Sequence, residues 1–263
     1  MDGGQGNIPT NLRLLLVLEE VARAGTAVTP TEVNARLGLP KPTIHRLFAT
    51  LVDEGFLQRD IDGRSYLPGP RLRRLAGGVL STGRTRTARL TILRRLSGEI
   101  GETCNVAIPD GDAMVYLERV ETEWPLRIQL PTGTRVPLYC TASGKLYLSS
   151  LEPQALRAYL AATDLAARTP GTITDPQTLL DQLRTIRHEG HSLDRGEFMP
   201  DMIAIAVPIQ DANGRLLATL SVHAPALRFD LDRARASLPQ LRAAAEALTR
   251  LADGDPGPAA PDG

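Results

Sequence analysis

The residues best suited to chemistry in this chain lie between Lys41 and Arg64. The apolar spacing of Ile44, Leu47, Phe48 and Leu51 predicts a helix running to about Asp53. At 100° per residue those four share the inward side. Pro42, Arg46, Ala49 and Asp53 stand opposite, with Thr43, His45 and Thr50 on the flanks. Small and hydrogen-bonding residues near a helix start permit close approach to the base edges of DNA. Arg46 can reach a guanine, His45 or Thr43 a base or a phosphate, and Lys41 a phosphate. Alone, the same helix is equally an ordinary amphipathic element of a small helical subdomain.

Its neighbours decide between those readings. Thr29-Pro30-Thr31-Glu32 opens a preceding helix, with Thr29 as cap, Pro30 at the first helical position and Glu32 completing a capping box. Gly38 ends that helix in a left-handed turn, and Leu39-Pro40-Lys41-Pro42 starts the next. Helix, tight turn and helix within about 24 residues is the spacing of a helix-turn-helix. Gly55 to Arg59 and Ser65 to Leu67 then read as short strands joined across Asp62-Gly63, a hairpin signal. That hairpin is the expected wing, and it presents Arg64 to DNA.

Charge supports a polyanionic partner for this part alone. The chain carries 30 basic and 30 acidic residues. Residues 1–95 hold 15 basic against 8 acidic, and residues 96–263 hold 15 against 22. Composition explains the preference for arginine (28 Arg, 2 Lys) but not this segregation. Arg71, Arg73, Arg74, Arg84, Arg86 and Arg89 extend the basic strip beyond the wing.

A second set of groups lies further along. Ser143-Gly144-Lys145 opens a predicted helix directly after a strand, and a helix N-terminus offers free N–H groups suited to a carboxylate. Ser221 and His223 alternate along a predicted strand and share one face. They either bind a ligand or are satisfied by the sheet and solvent. Asp194 either bonds a ligand hydroxyl or caps its own turn, Asp194-Arg195-Gly196. Lys145, one turn into its helix, is either solvated or paired with an acid.

Catalysis is weakly supported. Cys140 and His223 supply a nucleophile and a base, but nothing in the sequence places them together. Thr141 to Leu146 lacks the earlier glycine and the Ser/Thr after lysine that a phosphate loop needs. Cys104 and Cys140 form no C-x-x-C, so neither a disulfide framework nor a metal site is expected, and no cofactor is implied. No run approaches the roughly 18 apolar residues of a membrane span, and the N-terminus lacks a signal-peptide pattern, so the expectation is a cytoplasmic protein without a membrane partner.

The remaining elements follow from periodicity. A first helix over about 10–24 has Leu14, Leu15, Leu18, Val21 and Ala22 as its inner stripe. A basic helix begins near Pro70, with a joint at Ser81-Thr82-Gly83 and a further helix over about 85–100. Strands are predicted over 104–109, 113–121, 126–131 and 135–139, and helices over 142–150, 153–162 and 176–189. A late hairpin spans 202–209 and 216–224, and a last helix 230–251. Strands grouped around inserted helices, with hairpin turns, predict an α+β domain on an antiparallel sheet.

The segments so placed resemble the IclR family of bacterial transcriptional regulators over about residues 10–250. The resemblance rests on Leu37-Gly38-Leu39-Pro40-Lys41 with Thr43 and Arg46-Leu47, then Leu51 to Leu57, then Tyr66 to Leu72. It continues through Gly101-Glu102-Thr103, Gly133 to Pro137, Thr141 to Lys145, Gly190 with Asp194 and Glu197, and Ala206-Val207-Pro208. Pro42 departs from the small hydroxyl residue common in the family, and Pro68 sits in the stretch that ends the wing. The resemblance implies two domains, an N-terminal winged helix-turn-helix and a C-terminal effector-binding domain similar to GAF domains. The first is expected over 8–69, a linker helix over 70–84 and the effector domain over 85–252, and the Pro/Gly-rich composition of 253–263 predicts a disordered tail. The resemblance implies double-stranded operator DNA and a small organic or aromatic acid as partners, and self-association as a dimer or dimer of dimers. By position it assigns the effector pocket to Ile128, Ala142, Ser143, Asp194, Ala204, Ser221 and His223, with Arg127 and Cys140 nearby.

Overall fold

The structure, a computed structural model, describes residues 8–60, 62–80 and 83–252. The expected tail at 253–263 and the expected joint at Ser81-Thr82 lie outside the described residues. The chain divides into two compact units, with the division between Thr82 and Gly83.

The first unit opens with α1 (Arg13–Ala24), which ends where Gly25 takes a left-handed φ of 67°. Its buried residues are Val17 and Val21, while Leu15 and Ala22, expected inside, are exposed. The stripe is therefore rotated from the expected one, because Val17 and Val21 pack into the cluster formed with Ile44, Phe48 and Leu57. Helix α2 (Pro30–Leu37) carries both halves of the capping box: Thr29 Oγ1 accepts from the Glu32 N–H, and Glu32 accepts from the Thr29 N–H at 2.7 Å. Helix α3 (Lys41–Asp53) follows after three residues. Asn34 clamps that turn, accepting from the Leu39 N–H at 2.9 Å and donating to the Leu39 carbonyl at 2.8 Å.

Strands β1 (Leu57–Arg59) and β2 (Tyr66–Pro68) form the wing, with Leu57 opposite Pro68. Its turn is longer than two residues. Asp62 Oδ1 accepts from the Arg64 and Ser65 N–H groups, both at 2.8 Å. Val28 bridges to Tyr66, which ties the wing to the start of α2. Gly69 admits no side chain, since a Cβ there would lie 2.4 Å from the Gly55 carbonyl. Helix α4 (Pro70–Leu80) closes this unit.

The second unit begins with α5 (Gly83–Ile100). Strands β3 (Thr103–Asp110), β4 (Ala113–Val120) and β5 (Arg135–Pro137) precede α6 (Ala142–Ser150), α7 (Pro153–Ala162) and α8 (Pro176–Glu189). Then come β6 (Ser192–Arg195), β7 (Met202–Gln210), β8 (Leu216–Pro225), α9 (Leu231–Ala236) and α10 (Leu238–Ala252). The strands make one antiparallel sheet ordered β5-β4-β3-β8-β7-β6. The architecture is thus the expected α+β one.

Three expectations need correction. Residues 126–131 are not a strand: β5 and the backbone of Gly133 and Thr134 already occupy the edge of β4. No strand was expected at β6, where a turn at Asp194-Arg195-Gly196 was one of two readings; its polar residues do not alternate visibly over four positions. The last helix breaks at Ser237, since Pro239 has no N–H to continue a ladder through that point.

Strand alternation separates two faces. Cys104, Val106, Leu220, Val222, Ile205 and Val207 bury one face in an apolar cluster with Leu93, Leu96, Leu241 and Leu248 from α5 and α10. The opposite face meets α6 and α8 and carries Ala107, Ala204 and Ala206. Thr103, Asn105, Ser192, Asp194, Ser221 and His223 alternate onto that second face, and all are buried. Among the described residues no helix is long and apolar enough to cross a membrane.

Candidate functional site

Two sites emerge, one in each unit. In the first, Ile44, Phe48 and Leu51 anchor α3 to the core while Lys41, Pro42, His45, Arg46 and Thr50 are exposed and Thr43 is half-buried. These positions form the outward face the apolar period requires. Thr50 Oγ1 donates back to the Arg46 carbonyl at 3.0 Å, so in this rotamer its free capacity is as an acceptor. Arg64 is exposed beside the Asp62 turn.

The basic strip beyond the wing is largely occupied. Arg71 pairs with Glu54 at 2.7 Å and lies over Phe56. Arg73 donates to the Pro68 carbonyl at 2.6 Å. Arg86 and Arg89 pair with the buried Glu118 at 3.3 and 2.9 Å. Arg71 and Arg86 stay about half exposed while paired, and Arg74 is exposed. The side chain of Arg84 lies outside the described residues.

The second site is a cavity between the N-terminus of α6 and the polar sheet face. Tyr116, Thr141, Ala142, Ser143, Asp194, Phe198, Met202, Ala204, Ser221 and His223 line it. Six of the seven residues expected there are thus brought together. Ile128 is not among the lining residues; only its carbonyl takes part, accepting from Arg119. Tyr116, Thr141, Phe198 and Met202 were not expected. The space open to a water-sized sphere is about 10 Å³, room for one water molecule. A larger ligand must open it.

Helix α6 is seated tightly. Thr141 Oγ1 accepts from the Gly144 N–H at 3.1 Å and donates to the Pro137 carbonyl at 2.6 Å. A Cβ on Gly144 would lie 2.4 Å from the Leu138 Cα and carbonyl, so only glycine fits. This close seating sets the first turn of α6 against the cavity, where its leading N–H groups have no intrahelical acceptor.

Charged groups surround the cavity without filling it. Asp194 Oδ1 accepts from the Glu197 N–H at 2.7 Å, whereas Oδ2 is buried with no partner. One oxygen thus caps the turn, the second of the two sequence readings, and the other has no partner. Burial, and secondarily the Glu197 charge, push its pKa up to about 7. Lys145 is fully buried and ion-paired with Glu197. His223 is pulled down to about 3, by burial first and by the nearby Arg119 cation second. Burial raises the thiol of Cys140 to about 12, which leaves it neutral and poorly nucleophilic. Arg127, expected nearby, instead pairs with Glu121 at 2.7 Å and does not line the cavity. Among the described residues no cluster of three or more His, Cys, Asp or Glu could hold a metal ion.

Comparison with known proteins gives a consistent result. The family model described as the IclR helix-turn-helix domain matches residues 12–60, and that described as bacterial transcriptional regulator IclR C-terminal matches residues 78–250. The chain is 36% identical over 239 residues to the probable transcriptional regulator SauR of Cupriavidus necator, covering 91% of this chain and 95% of that one. It is 32% identical to the Pca regulon regulatory protein of Pseudomonas putida, covering 83% and 75%. Among solved structures, an IclR homolog from Microbacterium hydrocarbonoxydans complexed with 4-hydroxybenzoate is similar with a TM-score of 0.60 and 27% identity, covering 94% of this chain and all (100%) of that one.

Proposed function

The chain belongs to the IclR family of bacterial transcriptional regulators, and from that premise we propose that α3 and the wing read an operator while the cavity under α6 binds the effector. The protein is a DNA-binding transcriptional regulator with an N-terminal helix-turn-helix and a C-terminal effector domain. On α3, Arg46 reads a base, His45 and Thr43 a base or phosphate and Lys41 a phosphate, while Arg64 in the wing turn contacts a phosphate. Pro42 and Thr50 complete the contact face.

The effector is a small organic acid. The observation that carries this reading is the buried cavity itself: an open helix N-terminus, Ser143, Ser221 and His223 converge on it beside an unpartnered Asp194 oxygen. Convergent polar groups set among apolar side chains, here Ala142, Phe198, Met202 and Ala204, are a usual feature of a small-molecule site. The Microbacterium relative holds an aromatic acid, 4-hydroxybenzoate, which supports the ligand class. The small space left here favours compact acids, or an opening of the segment bearing Phe198 and Met202.

Self-association belongs to the same reading. Helix α1 exposes Leu15 at 54%, and Leu12 just before it at 44%, a face suited to a second copy. In a dimer, two recognition helices meet half-sites about one turn, roughly 34 Å, apart. An effector that shifts their spacing changes operator affinity. Sedimentation of the full chain, combined with operator binding at rising concentrations of candidate acids, tests both statements. A monomer that binds DNA and ignores every acid contradicts them.

A further inference from the structure

We propose that Arg119, which does not line the cavity, is a positioning residue that turns two ambivalent side chains, His223 and Asn105, into hydrogen-bond donors. The sheet side of the pocket then selects an oxyanion through neutral donors. The proposal rests on the reading of this cavity as the effector site.

The argument begins with what arginine can do. A guanidinium donates and never accepts. Arg119 Nη1 lies 3.1 Å from His223 Nε2 and 2.9 Å from Asn105 Oδ1. Its two hydrogens serve these two acceptors. Nε2 of His223 must therefore be unprotonated, so the ring's single proton sits on Nδ1. The Asn105 carbonyl oxygen is likewise committed, and its Nδ2 is buried with no partner. Both side chains are left with only N–H groups to offer.

The sheet brings those groups together. Asn105 pairs in register with Arg119 on one side and with Ser221 on the other, and His223 follows two residues after Ser221 on the same face. The Ser221 hydroxyl and His223 Nδ1 thus stand as neutral donors on residues that line the cavity, and Asn105, which does not line it, lies beside Ser221 in register with its Nδ2 unpartnered. Arg119 is itself fixed from behind. Its Nε donates to Glu121 at 3.1 Å and its other nitrogen to the Ile128 carbonyl, and its side chain is 4% exposed. Glu121 also pairs with Arg127 at 2.7 Å, so the guanidinium keeps part of its charge; the role assigned to Arg119 is the orientation of its neighbours, which the tautomer reports separately from charge. The pKa of His223, pulled down by burial and by this cation, agrees with a neutral ring.

The experiment reads the His223 tautomer directly. Two-bond ¹H–¹⁵N correlation spectra of the full chain at pH 7, with His45, His188 and His191 assigned by substitution, should show His223 protonated on Nδ1. In Arg119→Met the Nε2–H form should appear, and Arg119→Lys, which keeps a donor, should largely restore the wild-type pattern. Acetate and acetamide serve as probes. The acetate dissociation constant should rise about tenfold in Arg119→Met while that of acetamide changes less. A wild-type Nε2–H tautomer, or an unchanged tautomer in a folded Arg119→Met, overturns the proposal. Equal weakening of both probes overturns the oxyanion preference. If acetate binding survives Ser143→Leu while the tautomer is as stated, the cavity is not the effector site. The ligand half of the proposal then falls, and Arg119's hold on His223 stands.

Discussion

Lys145 and Glu197 form an ion pair with both side chains out of water, 0% and 4% exposed. The pair joins the second turn of α6 to the loop after β6, and that loop carries Phe198 onto the cavity. Thr172 Oγ1 adds a hydrogen bond to the Glu197 carbonyl at 2.6 Å. The ammonium is held below the usual lysine range, with burial the largest cause and the Glu197 carboxylate opposing it.

Removing one partner leaves the other buried and uncompensated, which costs about 3–5 kcal/mol. Lys145→Met should therefore destabilise the protein by roughly that amount in urea unfolding. A loss below about 1 kcal/mol would show that solvent reaches this pair. Replacing both residues with apolar ones should recover much of the loss.

The pH response follows from Asp194. Its folded pKa, about 7, lies above the ordinary 3.8. A raised carboxyl pKa means that the fold prefers the protonated form. That preference is fully present below about pH 3.8 and is lost as pH rises through 7. An anionic effector beside Asp194 shares the preference, so its affinity should fall by up to about tenfold per unit above pH 7. Asp194→Asn should flatten the profile. A wild-type profile flat from pH 6 to 9 in calorimetric titration contradicts the assignment.

Arg46→Ala should cost about 1–3 kcal/mol on the specific operator and relax preference at one base position, as for a base-reading arginine. Equal loss on every sequence would make Arg46 a phosphate contact. Competition binding against a panel of single-base operator variants separates the two.

Ser143→Leu fills the mouth of α6 in the second unit and leaves α3 untouched. It should abolish the effector response and leave operator affinity without effector within about twofold, since blocking effector binding removes the coupling and nothing else. Loss of both activities would identify Ser143 as a packing residue.

What the sequence made legible was local chemistry. The Thr29–Glu32 box, the Gly38 turn and the outward face of α3 follow from caps and period, and each is present. Ser221 and His223 could be paired by alternation alone. The partners of those groups were not legible. Arg119 meets His223 across 104 residues and Lys145 meets Glu197 across 52, and no periodicity encodes such distances. A buried lysine on a helix reads like a solvated one. Asn34, which clamps the turn through both ends of its amide, reads as an ordinary polar helical residue. Strand β6 is four residues long and polar on its buried side, so it gave no apolar alternation. Residues 126–131 had the composition of a strand but no free sheet edge to join.

Binding of the full chain to DNA from immediately upstream of its own gene, with and without a saturating acid effector, tests the central claim most directly. Fluorescence anisotropy at two salt concentrations would give both specificity and coupling. The account predicts steep salt dependence, strong preference over scrambled DNA, and a shift of roughly 5- to 150-fold on adding effector, equivalent to about 1–3 kcal/mol of coupling. An acid that binds the cavity tightly yet leaves operator affinity unchanged would contradict it.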